Sequence, residues 1–167
     1  LVFTKVFKIG KDIEFFPVYL LLGIVLWNFF MEATNSAMTS IVARGDLIKK
    51  ISIPRYLLVL SSNASALINL GLNLIIVVGL ALVVGVPVEA SWLLVLPLLL
   101  ELWILSLALG FILSALFVKY RDVSYIWEVL MQAAFYATPI LYPLSLITNV
   151  KYQQLIMLSP PAQIIQD

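Results

Sequence analysis

The sequence predicts an all-α integral membrane protein: a polytopic helical bundle holding about four full transmembrane helices. Three observations predict it. Of the 167 residues, 63% are hydrophobic and only 11% are charged, whereas a soluble domain is roughly 45–50% apolar and about 25% charged. The apolar residues gather in segments long enough to cross a hydrocarbon core of about 30 Å, which takes about 20 helical residues. The charged residues gather in the short connections between those segments. Helices are required because a backbone in lipid must satisfy its own hydrogen bonds, which an open strand cannot do.

The first span covers about residues 15–42, with Glu32 its only charge. The second covers about 54–85, with no charge between Tyr56 and Val88. The third covers about 91–118 and is broken only by Glu101, to which we assign no role. The fourth covers about 124–142, with Glu128 near its start. Residues 1–9 read as the tail of an earlier span, and residues 143–167 as an external segment. The chain opens on Leu1 and stops at Asp167 just after "SPPAQIIQ"; both ends read as cuts in a longer protein.

Orientation follows the distribution of Lys and Arg. One side carries Arg44, Lys49, Lys50, Arg55, Lys119 and Arg121; the other carries Lys5, Lys8, Lys11 and Lys151. The richer side is placed in the cytoplasm of a multi-pass protein of the cell (inner) membrane.

The connection "ARGDLIKKISIPR" is a compact charged knot between two apolar spans. On a wheel of 100° per residue, Leu47, Ile48 and Ile51 form one stripe and Asp46, Lys49 and Lys50 lie opposite. This spacing predicts an amphipathic helix over about 45–53. Asp46 suits its N-cap, and Pro54 ends it because the residue before a proline avoids the α region. Pro54 can then open the next span. Two readings fit these residues: an anchor lying on anionic headgroups, and a docking helix for a cytoplasmic partner.

Charges inside a bilayer cost roughly 2.5–3.5 kcal/mol each, and uncharged polar groups still need partners. Three polar stripes at helical spacing therefore carry information. They are Asn28, Glu32, Asn35, Ser36 and Thr39; Ser62, Ser65, Asn69 and Asn73; and Ser124, Glu128, Gln132 and Tyr136. Each serves either as glue between helices or as the lining of a hydrated path. Gln132, Phe135, Tyr136 and Tyr142 are the path candidates, since they set polar groups beside flat apolar faces. Trp127 reads as a member of the interfacial aromatic belt. Lys119, Arg121, Asp122 and Glu128 form a candidate cytoplasmic gate, with Glu128 expected to pair with Arg121 or Lys119.

There is no Cys and no His, which removes thiol chemistry and the usual soft-metal sites. No catalytic or metal-binding residues are assigned, and no basic face for nucleic acid is present. The sequence has no Gly-rich phosphate loop with its Lys, so no nucleotide cofactor is expected on this chain.

Five segments carry a family resemblance, in order: "LLLGIVLWNFF", "DLIKKISIPR", "KYRDV", "ATPILYP" and "LSPPAQIIQD". Together they resemble the membrane subunits of type-2 ABC exporters, in the branch that moves O-antigen, capsule and teichoic-acid polymers. The resemblance implies six spans per subunit, of which this chain would hold the second to the fifth, and two permease subunits side by side. It implies a separate ATP-binding subunit that binds and hydrolyses the ATP. The knot would be the coupling helix seated on that subunit, formed by Asp46, Leu47, Ile48, Lys49, Lys50 and Ile51. The substrate would be a lipid-linked glycan drawn from the membrane lipid. The alternatives are an ABC exporter of a drug or lipid, a secondary transporter using carboxylates such as Glu32 and Glu128, and a lipid-dependent transferase.

Overall fold

The computed structural model describes residues 16–45, 54–87 and 90–138. These described residues are helices and their connections, with no strand. The order is α1 (Phe16–Ala43), α2 (Arg55–Val84), a short 3-10 segment (Ala90–Leu94), α3 (Val95–Lys119) and α4 (Val123–Ala137).

Three stretches are long and apolar enough to cross a membrane: Pro17–Ala43, Arg55–Val84 and Trp92–Lys119, of 27, 30 and 28 residues. α4 is shorter. Its 15 residues rise only about 22 Å, against a hydrocarbon core of about 30 Å. The fourth expected span extended to 142, and residues 139–142 lie outside the described residues. The described part of the bundle thus contains three helices of membrane length and one shorter helix.

Local chemistry sets the ends. Pro54 stands at the N-cap of α2, φ −59° and ψ 129°, where it lacks only an N–H that the helix would not use. The Pro54 carbonyl accepts the Leu57 N–H at 3.1 Å. α2 stops at Gly85, whose φ of 86° is left-handed and suits a residue without Cβ. The Gly85 N–H reaches the Leu82 carbonyl and the Val86 N–H reaches the Ala81 carbonyl, closing the last turn in a Schellman arrangement. α3 ends where Tyr120 turns extended. Asp122 then opens α4 with its backbone carbonyl, which accepts the Tyr125 and Ile126 N–H groups at 3.1 and 3.2 Å; its side chain makes no cap.

α1 is the hub. It packs along both α2 and α3, which touch each other far less, while α4 leans on α1 and α3. Of the most apolar window of α1, 39% is buried inside the bundle, against 17% for α2 and for α3. The core is therefore the inner face of α1: Leu26, Trp27, Phe29, Phe30 and Ala33, met by Ala66, Leu70, Leu102 and Met131. The outer faces are equally apolar, with Ile68, Ile75 and Ile76 of α2 and Ile104 and Ile112 of α3 exposed. In lipid there is no water from which these side chains must be hidden.

Side-chain contacts fix the directions. Asn63 meets Ala33, and Ser106 meets Asn63. Trp127 meets Thr34, and Phe135 meets Trp27. α1 and α3 therefore run one way and α2 and α4 the other. Arg44, Arg55, Lys119 and Arg121 consequently come together at one end of the bundle, the pattern expected of a cytoplasmic face.

Candidate functional site

α1 is bordered by two polar seams of opposite character. The first joins α1, α2 and α3 and is closed. Asn63 is fully buried; its Nδ2 donates to the Ala33 carbonyl at 3.5 Å, and its Oδ1 accepts from Ser106 Oγ at 3.2 Å. One amide thus ties three helices together. The helices can approach because the residues around it are small. A Cβ built on Gly110 would stand 2.7 Å from the Ala37 Cβ and 3.5 Å from Asn63 Nδ2. Ser62, Ser114 and Ser40 turn their hydroxyls back onto carbonyls of their own helices. Among the described residues, the buried side-chain polar atom left without a partner is Trp103 Nε1.

The second seam lies between α1 and α4 and is open. It holds two clefts in series. The one nearer the charged end has a volume of about 460 Å³ and is lined by Met31, Asn35, Ser36, Met38, Thr39, Ser124 and Glu128. The next has about 470 Å³ and is lined by Trp27, Asn28, Met31, Met131, Gln132, Phe135 and Tyr136. Met31 belongs to both. The two walls are held together at two places. Trp127 Nε1 donates to Thr34 Oγ1 at 3.2 Å, while that hydroxyl donates to the Phe30 carbonyl at 2.8 Å. The Phe135 ring packs tilted on Trp27, with centroids 5.7 Å apart.

The stripes read from the sequence are sorted by this geometry. In α1, Asn28, Asn35, Ser36 and Thr39 line the open clefts. Glu32 turns aside, and its carboxylate accepts from Asn69 Nδ2 of α2. In α2, Ser65 and Asn73 bond to carbonyls one turn back, Ser62 is buried, and the binding of three helices is done by Asn63, just outside the stripe. In α4, Ser124, Glu128, Gln132 and Tyr136 all line the clefts, as does Phe135. Among the described residues, the side chains of Asn28, Asn35, Glu128 and Gln132 have no protein partner.

One expectation gains a contact and another is corrected. Trp127, read as an interfacial belt residue, is half-buried and donates to Thr34 across the α1–α4 seam. Glu128 does not pair with Arg121 or Lys119. The Arg121 guanidinium lies 5.2 Å from the centre of the Phe117 ring, and the Lys119 ammonium lies 5.1 Å from that of Tyr120. Each cation thus lies over an aromatic face close by in sequence, four residues back for Arg121 and the adjacent residue for Lys119. Lys119, Arg121 and Asp122 are nonetheless together and exposed at the α3–α4 turn, with Glu128 further along the cleft. Asp46, Leu47, Ile48, Lys49, Lys50, Ile51 and Tyr142 lie outside the described residues.

Sequence reading missed Asn63, Thr34 and Gly110. A signal for the closed seam was present: Ser106, Gly110 and Ser114 repeat at intervals of four, as do Ala33 and Ala37, the small-residue spacing that lets membrane helices touch.

The family model of the ABC-2 type transporter matches residues 1–166. The chain belongs to the ABC-2 type transporter family. With three apolar helices of membrane length, this ABC-2 chain is a multi-pass protein of the cell membrane. It is 32% identical over 162 residues to the O-antigen export system permease protein RfbA of Myxococcus xanthus, covering 96% of this chain and 61% of that protein. It is 25% identical over 168 residues to the protein of the same name from Klebsiella pneumoniae, covering 99% of this chain and 64% of that one. The ABC-2 chain therefore spans less than two thirds of the length of these relatives.

Proposed function

We propose that this chain supplies the translocation part of a permease subunit in an ATP-driven exporter, and that the cargo is a lipid-linked polysaccharide of the O-antigen, capsule or teichoic-acid type. The observation that carries this reading is the open α1–α4 seam. Among the described residues, Asn28, Asn35, Glu128 and Gln132 sit there without protein partners, beside Thr34 and Trp127, which are hydrogen-bonded across the seam. A polar group left unpaired in hydrocarbon costs several kcal/mol, so these side chains require water or a polar cargo. A sugar chain offers both kinds of contact the clefts can use. Its hydroxyls suit the amides, and its C–H faces suit the rings of Trp27, Phe135 and Tyr136. The names of the two relatives, O-antigen export permeases, support the same cargo class.

In this reading ATP is bound by a separate subunit, and two permease copies stand side by side. Asp46, Leu47, Ile48, Lys49, Lys50 and Ile51 form the coupling helix, whose apolar edge seats on the ATP-binding subunit. Lys119 and Arg121 meet the diphosphate of the arriving lipid-linked glycan at the cytoplasmic end. They leave their aromatic rings for the stronger charge-assisted bonds of phosphate. Tyr142 continues the path beyond Tyr136.

The test uses the full-length protein with its ATP-binding partner in vesicles. Asn28→Leu combined with Gln132→Leu should stop movement of lipid-linked glycan while basal ATP turnover and assembly remain. Unchanged glycan movement would overturn the assignment of the groove. Separately, Leu47→Asp with Ile51→Asp should abolish co-purification of the ATP-binding subunit without preventing insertion; retention of that subunit would return the knot to the role of a headgroup anchor.

A further inference from the structure

We infer that Met31 is the gate of the groove: an apolar plug between two wet compartments, yielding to a passing chain and sealing behind it. This rests on the reading of the α1–α4 seam as a path. Met31 is the residue common to both clefts. Each cleft is large enough for several waters at roughly 30 Å³ apiece, and each has polar side chains of its own. Glu128 and Asn35 stand on one side of Met31, and Asn28 and Gln132 on the other. Met31 itself offers only hydrocarbon and a thioether, a weak acceptor.

Two properties of the side chain suit a gate. A hydrophobic constriction between wet chambers closes by expelling water, without any moving helix. Methionine is unbranched with three rotatable bonds, so it can fill an irregular gap and withdraw from it at small cost. The walls on either side are pinned at Trp127–Thr34 and at Phe135–Trp27, which leaves the half-buried Met31 as the softest element along the seam. The consequence is a barrier to water and ions between export cycles, placed at mid-depth and set by one side chain.

The test is cysteine accessibility in the full-length protein within cells, in a background freed of other cysteines, using a charged, membrane-impermeant thiol reagent. Asn28→Cys and Thr39→Cys report the two clefts. With Met31 present, the reagent should label each cysteine from one side of the membrane only, and from opposite sides. Met31→Ala should raise labelling of Thr39→Cys, from the side that reaches Asn28→Cys, by about tenfold. Met31→Leu, apolar and of similar size, should leave it low, which separates sealing from a general loss of folding. Met31→Val should give an intermediate rise if the alanine variant fails to insert. Labelling of both cysteines from one side with Met31 intact would overturn the gate. So would an unchanged Thr39→Cys signal in Met31→Ala while Asn28→Cys still reacts. If neither cysteine reacts from either side, the groove is dry, and the path reading falls together with its gate.

Discussion

The closed seam of α1, α2 and α3 and the open seam of α1 and α4 are built from similar residue types and do opposite things. Both carry amides and hydroxyls at membrane depth. In the closed seam Asn63 is fully enclosed, and its amide is spent on Ala33 and Ser106. In the open seam Asn28 and Gln132 are exposed and unmatched. The difference lies in their neighbours. Gly110, Ala37 and Ser106 let three backbones close around Asn63, whereas α1 and α4 meet through the large rings of Trp27 and Phe135, beside which a cleft remains. Small residues turn an amide into a joint, and large ones turn it into a lining.

The comparison can be broken most forcefully at Gly110. Gly110→Val places new carbon against the Ala37 Cβ, and overpacking of this kind costs about 1–3 kcal/mol. The folded fraction in detergent titrations should fall accordingly, and Ala37→Gly in the same chain should recover much of the loss. A Gly110→Val protein of undiminished stability would mean that the seam is not closely packed. Asn63→Leu should cost less, about 1 kcal/mol, since single hydrogen bonds between membrane helices average about 0.6 kcal/mol and reach about 1.7. Trp127→Phe keeps the ring and removes the donor to Thr34. Its expected cost is about 0.6 kcal/mol, seen as a small shift in the unfolding midpoint. At the small end, Asn28→Leu and Gln132→Leu should each change stability by less than about 0.5 kcal/mol, the usual range for positions away from packed contacts. A larger destabilisation there would mean that the open seam is also a joint.

How much of this was legible in the sequence follows the same division. The helical bundle was legible because lipid leaves the backbone so few alternatives. The stripes on α1 and α4 were legible because helical periodicity puts Asn28, Asn35, Glu128 and Gln132 on faces that a wheel identifies. What a wheel cannot give is the element that a face will meet. Glu32 shares the periodicity of its stripe yet turns to Asn69 of α2. Trp127 lies near a helix start, where an interfacial role is the ordinary reading, and a wheel does not show that its indole N–H meets the Thr34 hydroxyl across the seam. The pairing expected of Glu128 weighed charge alone. Phe117 lies four residues before Arg121 and offers its ring to the guanidinium on the adjoining turn. The amphipathic knot proposed as a coupling helix and Tyr142 lie outside the described residues.

The account depends on one seam being wet and the other dry, and thiol reactivity measures that directly. Gln132→Cys and Ser106→Cys would each be placed singly in the full-length, otherwise cysteine-free protein and exposed to a small charged thiol reagent from both sides of the membrane. The account predicts that Gln132→Cys reacts in the folded protein, whereas Ser106→Cys stays inert until the protein is denatured and then reacts fully. Equal reactivity of the two, or an inert Gln132→Cys beside a reactive Ser106→Cys, would contradict it.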